Sequence, residues 1–211
     1  MKELVALVLM IVLVAQSCGS SATSHEGNIL IKDDSNFTGL SNGFLQDGTL
    51  VDASAGGNLT MVKLLLKYVD PNSPKILENG HKTYALHEAA KHGFDQIVQV
   101  LLAAGADISR QDEKSSAHSG DTPLHLAVWK DHLTTVKILV SNGASLTAAK
   151  SNGETAFAIV FYSMIYHDNP NSLEIFKYFL KNGADLNTTN YGKTVYTLAE
   201  ENGLTIPTNF F

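Results

Sequence analysis

The chain has 211 residues, of which 44% are hydrophobic and 17% charged, and this suits one ordinary domain or one short array of repeats. The formal net charge of −6 at pH 7 argues against broad attraction to nucleic acid phosphates or anionic lipid headgroups. The single cysteine, Cys18, excludes both an internal disulfide and a cysteine-based zinc cluster. Stability must therefore come from packing.

An apolar run lies at the N-terminus, where Leu4 to Ala15 follow Lys2. Its twelve residues fall well short of the about 20 that cross a bilayer, so the run is typical of a signal peptide and not of a membrane helix. Small residues precede Cys18, and a Gly/Ser-rich stretch follows it. This pattern resembles a bacterial lipoprotein signal, in which the cysteine becomes the first mature residue and its thiol carries the lipid.

The lipoprotein resemblance implies that residues 1–17 are a signal peptide, that Cys18 is lipidated, and that 18–46 form a flexible tether. The protein would then reach a bacterial cell envelope as an outer membrane lipoprotein that faces the periplasm or the surface. Cleavage near Ser17 or Ala22 is the alternative, and it would release a soluble periplasmic or secreted protein. A buried first helix of a cytoplasmic protein is disfavoured because the apolar run has no polar face.

Two stretches in the middle of the chain repeat each other, with leucines, alanines and glycines at the same offsets. The first opens on Leu86 and reaches Gly105, and the second opens on Leu124 and reaches Gly143. Both intervals are 19 residues long. Such agreement indicates a repeat architecture.

A third copy opens on Phe157 and reaches Gly183, 26 residues later. The seven additional residues fall within 162–172, where they should lengthen the first helix of that unit. Degenerate copies at about 47–76 and 191–206 flank the three and are typical of caps. The segment Asp70–Pro74, between the first two units, is interpreted as a loop because of its prolines.

The repeated positions have a direct physical explanation. Thr122 can cap a helix whose first residue is Pro123, where the missing amide proton costs nothing. Gly93 can adopt the left-handed conformation that ends a first helix, and Asp131 takes the same place in the next copy. A second helix places three apolar side chains on one face for stacking, namely Val98, Leu101 and Leu102.

The opening Thr122-Pro123-Leu124-His125-Leu126-Ala127 and the later Leu-Leu and Gly-Ala-Asp groups resemble the ankyrin repeat. The resemblance implies an all-α solenoid of paired antiparallel helices with hairpin fingers, over residues 47–206, with 207–211 as a tail. It comprises about three full repeats and two degenerate caps. The unit boundaries are about 47–76, 82–114, 120–152, 153–190 and 191–206.

The ankyrin resemblance also assigns the repeat-motif residues. In that family the imidazole of the opening motif hydrogen-bonds the backbone between neighbouring loops, which here implies that role for His87 and His125. The residues assigned to the repeat motif are His87, Gly93, Gly105, Thr122, Pro123, His125, Gly143 and Gly183.

The histidines do not form a catalytic or metal-binding pattern. His87 and His92 are five residues apart, whereas two zinc ligands on one helical face are four apart. Neither a phosphate-binding loop nor a serine, histidine and acid grouping can be argued from spacing. The sequence therefore predicts a protein without catalytic residues, metal or cofactor.

Ankyrin arrays bind partners with their finger tips and with the exposed face of each first helix. The positions that the resemblance assigns to partner binding are His81, Lys91, His92, His118, Asp121, Trp129, Lys130 and Tyr162. Trp129 is the only tryptophan, and tryptophan is enriched among binding hot spots. The alternative is that Trp129 packs into the core beneath Tyr162.

These observations together predict a monomeric, non-enzymatic module that binds an unidentified protein on its concave face and does not bind nucleic acid. The lipid on Cys18 would attach it to the membrane. An inhibitor or protector of an enzyme in the cell envelope, such as a toxin immunity protein or an accessory to an antioxidant enzyme, is the alternative. The added lengths at 110–120 and 162–172 suit either a binding face or neutral drift.

Overall fold

The computed structural model describes residues 48–113, 120–166 and 170–185, together with 187, 189–190, 193–194, 197 and 200–201. The predicted signal peptide, Cys18, the predicted tether and His118 lie outside the described residues. Within the described part of the chain, eight α-helices form four antiparallel pairs. None of these helices combines the length and the apolarity needed to cross a membrane.

Each pair consists of a first helix and a second helix joined by a short turn. The pairs are α1 (Thr49–Ala55) with α2 (Leu59–Leu65), α3 (Ala85–Lys91) with α4 (Asp95–Ala103), α5 (Pro123–Trp129) with α6 (Leu133–Ser141), and α7 (Ala156–Tyr166) with α8 (Ser172–Lys181). The first helices α1, α3, α5 and α7 pack side by side, and so do the second helices. The predicted all-α solenoid of paired helices is confirmed.

Two short antiparallel strand pairs accompany the helices: β1 (Pro74–Ile76) with β2 (Lys82–Tyr84), and β3 (Thr189–Asn190) with β4 (Lys193–Thr194). The segment before β1 is irregular, as its prolines suggest, but Pro74 itself begins a strand. A strand tolerates proline at its first residue, where no ladder donor is lost. The extra length between the first two helix pairs is therefore a β-hairpin, which the proline-based interpretation of a plain loop missed.

Local chemistry sets the ends of α5. The Thr122 Oγ1 accepts a hydrogen bond from the His125 backbone N–H at 3.4 Å, while the Thr122 N–H donates to His125 Nδ1 at 3.2 Å. Pro123 occupies the first helical position, where its missing N–H costs nothing. The helix then ends at Trp129, and Asp131 has a left-handed φ of 60°. Seven residues are too few for a stable isolated helix, so these caps act together with packing.

A single apolar core runs through all four pairs. Val98 and Leu101 are fully buried, whereas Leu102 is only partly buried at the edge of the core. The stacking face of the second helices is therefore narrower than the sequence pattern suggests. Residues that are completely inaccessible in the successive second helices are Val62, Val98, Leu101, Val136, Leu139, Ile175 and Phe179.

A second set of contacts joins the helix-to-helix turns of adjacent pairs. Gly93 follows α3 with φ of 71°, and the ring of His132 lies against it. A Cβ atom at Gly93 would be 2.7 Å from His132 Nδ1. The same ring donates its Nε2–H to the Lys91 carbonyl, at 3.1 Å. The absence of a side chain at Gly93 thus allows two repeats to approach.

The next turn uses an aspartate in the glycine position. Asp131 Oδ2 accepts a hydrogen bond from the Asn171 backbone N–H at 3.1 Å, and Oδ1 lies 3.2 Å from Ser172 Oγ. The Asp131 carbonyl also accepts from the Asn171 side chain at 3.1 Å. The carboxylate therefore holds the start of α8. The preceding helix α7 has 11 residues, whereas α3 and α5 have seven, so the first helix of this unit is longer, as expected of the insertion at 162–172. The Asp131 contacts attach the chain to the array again after this longer helix.

A matched pair of alanine substitutions separates steric contact from backbone strain at these glycines. Gly105→Ala, where φ is 90° and a Cβ would meet nothing within 4 Å, should lower the free energy of unfolding by about 1–2 kcal/mol through strain alone. Gly93→Ala should cost at least about 1 kcal/mol more because of the His132 ring. Urea denaturation measures both.

The His132→Ala background provides the control for this comparison. There the cost of Gly93→Ala should fall to that of Gly105→Ala, because the obstructing ring is gone. An unchanged cost in that background would show that the turn-to-turn contact does not limit the approach of the repeats.

Candidate functional site

An open groove of about 890 Å³ lies between the first helices and the segments that connect the pairs. Its floor is formed by residues of α3, α5 and α7 and by Lys130, which directly follows α5; the helical residues are Glu88, Lys91, Leu126, Trp129, Ile159, Tyr162 and Ser163. The connecting segments form its wall, with Leu77, His81, Lys82, Thr83, Asp112, Asp121, Lys150 and Glu154. The groove therefore extends across three consecutive repeats.

The repeat spacing explains which floor residues are neighbours. With Leu86, Leu124 and Phe157 aligned, one row contains Glu88, Leu126 and Ile159, and the next row contains Lys91, Trp129 and Tyr162. Because α5 packs between α3 and α7, each row runs across adjacent helices. The floor consequently changes from charged on α3 to apolar and aromatic on α5 and α7.

Trp129 is the most exposed large apolar residue of this floor, with 61% of its surface accessible. The alternative in which Trp129 packs into the core is wrong, since the last residue of α5 points its indole outward. The Lys130 Nζ lies 4.2 Å from the centre of the indole ring, within the range of a cation–π interaction. Tyr162 is partly buried and lines the same groove.

The groove wall contains a charge cluster with little exposure to solvent. Lys150 forms ion pairs with Asp121, at 3.5 Å, and with Glu154. Only 11% of the Lys150 side chain is accessible. Asp112 Oδ1 accepts hydrogen bonds from the backbone N–H groups of Gly120 and Asp121, at 3.0 and 2.8 Å. These charge-assisted contacts fix the wall in position.

The hairpin before α3 is joined to the next connecting segment. Lys82 and Glu113 exchange backbone hydrogen bonds at 3.1 and 3.3 Å, and their side chains form an ion pair at 2.8 Å. The hydrogen bond from Lys82 holds the pKa of the Glu113 carboxyl below its ordinary value. The Tyr84 hydroxyl also donates to Glu113, at 3.3 Å. One end of the groove is thus built by the inserted hairpin.

The two motif histidines lie beneath this wall and are almost inaccessible. His87 Nε2 is 3.0 Å from the Asp121 carbonyl, which belongs to the next repeat, as the ankyrin resemblance implies. His125 uses Nδ1 within its own turn, at 2.7 Å from Thr122 Oγ1. Its ring faces the backbone of Glu154, the equivalent of Asp121, although Nε2 has no hydrogen bond of good geometry within the described residues. Burial lowers the pKa of both imidazoles.

The structure brings most of the predicted partner-binding residues together. Those that line the groove are His81, Lys91, Asp121, Trp129, Lys130 and Tyr162. His92 does not line it, because its ring stacks on Phe94 with the ring centres 5.8 Å apart. The predicted His118 lies outside the described residues.

Sequence reasoning missed several residues of the groove, among them Leu77, Lys82, Glu88, Leu126, Lys150 and Ile159. Glu88, Leu126 and Ile159 occupy the same position in three successive first helices. Adding that one position of the repeat to the predicted binding positions would have found all three. Lys150 lies in a connecting segment and not in a helical row; Glu154 is four residues from it, but its other carboxylate partner, Asp121, is 29 residues away in sequence. The described part of the chain contains no group of three or more His, Cys, Asp or Glu side chains suited to a metal ion.

Comparison with known proteins decides the family. The model of the family described as ankyrin repeats (3 copies) matches residues 29–112 and 50–150, which together are more than half of the chain. The chain belongs to the ankyrin-repeat family. The first match begins within the segment 18–46, so the boundary of the predicted tether at residue 46 stays a prediction.

Several curated proteins are similar to this chain. It is 40% identical to the human (Homo sapiens) BCL-6 corepressor-like protein 1 over 75 residues, which are 36% of this chain and 4% of that protein. It is 31% identical to Rabankyrin-5 of Mus musculus over 118 residues, 56% of this chain and 9% of that protein. It is 30% identical to ankyrin repeat and KH domain-containing protein mask-1 of Caenorhabditis elegans over 138 residues, which are 64% of this chain and 4% of that protein.

The chain therefore spans less than a tenth of the length of these three relatives. Arrays of this family are protein–protein interaction modules, and the ankyrin-repeat protein described here is such a module.

The buried histidines predict how stability depends on pH. Their folded-state pKa values lie below the unfolded value of about 6.5, so the unfolded chain binds more protons in acid. The stability that these two histidines contribute is thus fully present above about pH 6.5 and is lost as the pH decreases below it. For each histidine the free energy of unfolding should fall by about 1.4 kcal/mol per pH unit until its folded-state pKa is reached. Urea unfolding between pH 7.5 and 5 measures this slope.

The variant His87→Gln tests the assignment, because glutamine can still donate to the Asp121 carbonyl but does not titrate. Between pH 6.5 and 5, the free energy of unfolding of His87→Gln should depend less steeply on pH than that of the wild type. Adding His125→Gln should make this dependence weaker still. Equal slopes in all three proteins would refute the contribution of the motif histidines.

Proposed function

We propose that the ankyrin-repeat protein binds its partner protein in the groove formed by α3, α5, α7 and their connecting segments, with Trp129 as the central contact. The exposure of Trp129 carries this proposal. A solvated indole on a rigid helix loses little conformational entropy when a partner covers it, and tryptophan is the residue type most enriched at binding hot spots.

The surroundings of Trp129 favour a binding role. Leu126 and Ile159 are each 8% exposed and form an apolar floor beside it, with Tyr162 at the equivalent position of the next repeat. Around this floor lie the hydrogen-bonded Asp112 and the ion pairs of Lys150. An apolar centre within a polar rim is the usual anatomy of a protein interface.

Export and lipid anchoring belong to the same proposal. The apolar run before Cys18, the small residues at its end and the Gly/Ser stretch that follows support a lipid on Cys18. The partner would then be a protein of the cell envelope. If that partner is an enzyme, its activity with and without the ankyrin-repeat protein distinguishes simple binding from inhibition or protection.

Substitution of Trp129 tests the groove. Trp129→Ala should weaken capture of the partner from an envelope extract by at least about tenfold, because the hot-spot contact is lost. Its free energy of unfolding should change by no more than about 0.5 kcal/mol, because an exposed side chain contributes little to the core. Quantitative pull-down and urea denaturation of the same preparations provide both values.

Leu173→Ala is the matched control, since Leu173 is a large apolar residue of α8 that is 46% exposed and lies outside the groove. It should leave capture unchanged. A large loss of stability in Trp129→Ala, or capture as strong as that of the wild type, would contradict the proposed role of the groove.

Labelling with a fatty acid tests the anchor. In a bacterial host the wild type should incorporate the label and partition with membranes, whereas Cys18→Ala should do neither, because no other cysteine is present to carry the lipid. Equal labelling of both proteins, or labelling of neither, would remove the anchor from the proposal and leave the groove unaffected.

A further inference from the structure

The charged groups that line the groove are not equally available to a partner. Lys82 is paired with Glu113, and Lys150 with Asp121 and Glu154. These pairs leave both ammonium groups neutralised at the wall.

The acidic groups of the groove are also engaged. Glu88 accepts a hydrogen bond from Thr83 at 3.0 Å and is paired with Lys91 at 3.3 Å. The Asp112 carboxylate receives two backbone N–H groups, and Asp121 and Glu154 share Lys150. A basic side chain of a partner could therefore form an ion pair with one of these carboxylates only by displacing a contact that the carboxylate already makes.

Lys130 differs from the other three lysines of the groove. It is exposed and packs on the Trp129 ring, and no carboxylate lies within ion-pairing distance of it among the residues that the structure describes. The cation of the groove that is not neutralised by an acid is therefore adjacent to its most exposed aromatic residue.

The apolar groups lie on one side of this cation. The groove residues from α7 are Ile159, Tyr162 and Ser163, none of which is charged, and Leu126 lies in the same row as Ile159. On the other side, α3 contributes Lys91, which is paired with Glu88. A ligand that spans the floor thus meets uncompensated positive charge at Lys130, directly after α5, and an apolar surface toward α7.

We infer that the partner presents an acidic residue beside a bulky apolar side chain, with the carboxylate at Lys130 and the apolar group on Trp129, Tyr162 and Ile159. This inference rests on the proposed binding groove and specifies what the groove selects. Complementary charge at an interface gives specificity chiefly by disfavouring the wrong partner, and here a basic residue would face Lys130 without a free acid.

The net charge of −6 acts against an acidic partner only at a distance. At physiological ionic strength the Debye length is about 8 Å, so the approach is governed by the charges nearest to the contact. Beside Trp129 the nearest such charge is Lys130, whose Nζ is 4.2 Å from the ring centre. Local attraction therefore outweighs the overall repulsion once the partner reaches the groove.

Selection of peptides from a random library displayed on phage tests this inference on the full-length protein. The enriched peptides should contain Asp or Glu within a few residues of Leu, Ile, Met, Phe or Trp. Synthetic copies of them that lack tryptophan should shift the fluorescence of the protein to the blue and reduce its quenching by acrylamide, because Trp129 is the only tryptophan in the chain.

Charge reversal provides the specific readout. Lys130→Glu should weaken binding of the acidic peptides by about tenfold or more, the equivalent of about 1.4 kcal/mol. Lys137→Glu is the matched control, because it makes the same change in charge at an exposed position of α6 outside the groove, and its affinity should stay within about twofold of the wild type. Replacement of the peptide carboxylate by its amide should also weaken binding to the wild type, but less than Lys130→Glu does, because it removes the attraction without adding a repulsion.

The outcomes distinguish the inference from the proposed function. Peptides that protect Trp129 but are neutral or basic, or that bind Lys130→Glu as tightly as the wild type, would overturn the acidic partner and leave the groove standing. Peptides that leave the Trp129 fluorescence unchanged and bind Trp129→Ala normally occupy another surface, and they would overturn both.

Discussion

The structure depends on the stacking of helices that are too short to be stable alone. The first helices α1, α3 and α5 have seven residues each, about half of what an isolated helix needs to persist in water. Each acquires its stability by burying apolar side chains against the preceding and the following repeat. Small residues make this possible, since Ala89, Ala90 and Ala127 are completely buried where neighbouring helices approach.

The same stacking creates the binding surface. Because every first helix is held by its neighbours, equivalent positions on α3, α5 and α7 form straight rows, and side chains that are not needed for the stack can vary along them. Lys91, Trp129 and Tyr162 occupy one such row with three different chemistries. The core thus places the groove residues, while their identities give the groove its polarity.

The departures from a regular array are stabilised by specific polar contacts. The added hairpin is fixed by the pairing of Lys82 with Glu113, and the longer α7 is followed by contacts between Asp131 and the start of α8. In the first case the two ends of one repeat are joined through their backbones, and in the second Asp131 accepts a hydrogen bond from a backbone N–H of the next repeat. The insertions are consequently continuous with the stack.

The sequence by itself determined the repeat architecture, because nineteen-residue intervals such as Leu86 to Gly105 and the capped turn at Thr122 are local patterns that short helices require. It also located six of the groove residues, through their equivalence from repeat to repeat. Only the tertiary structure decided that Trp129 is exposed, that His92 stacks on Phe94, and that Lys150 joins Asp121 to Glu154. These features depend on packing between separate repeats, where the space left by neighbours determines the direction of a side chain, and no periodic pattern encodes that space.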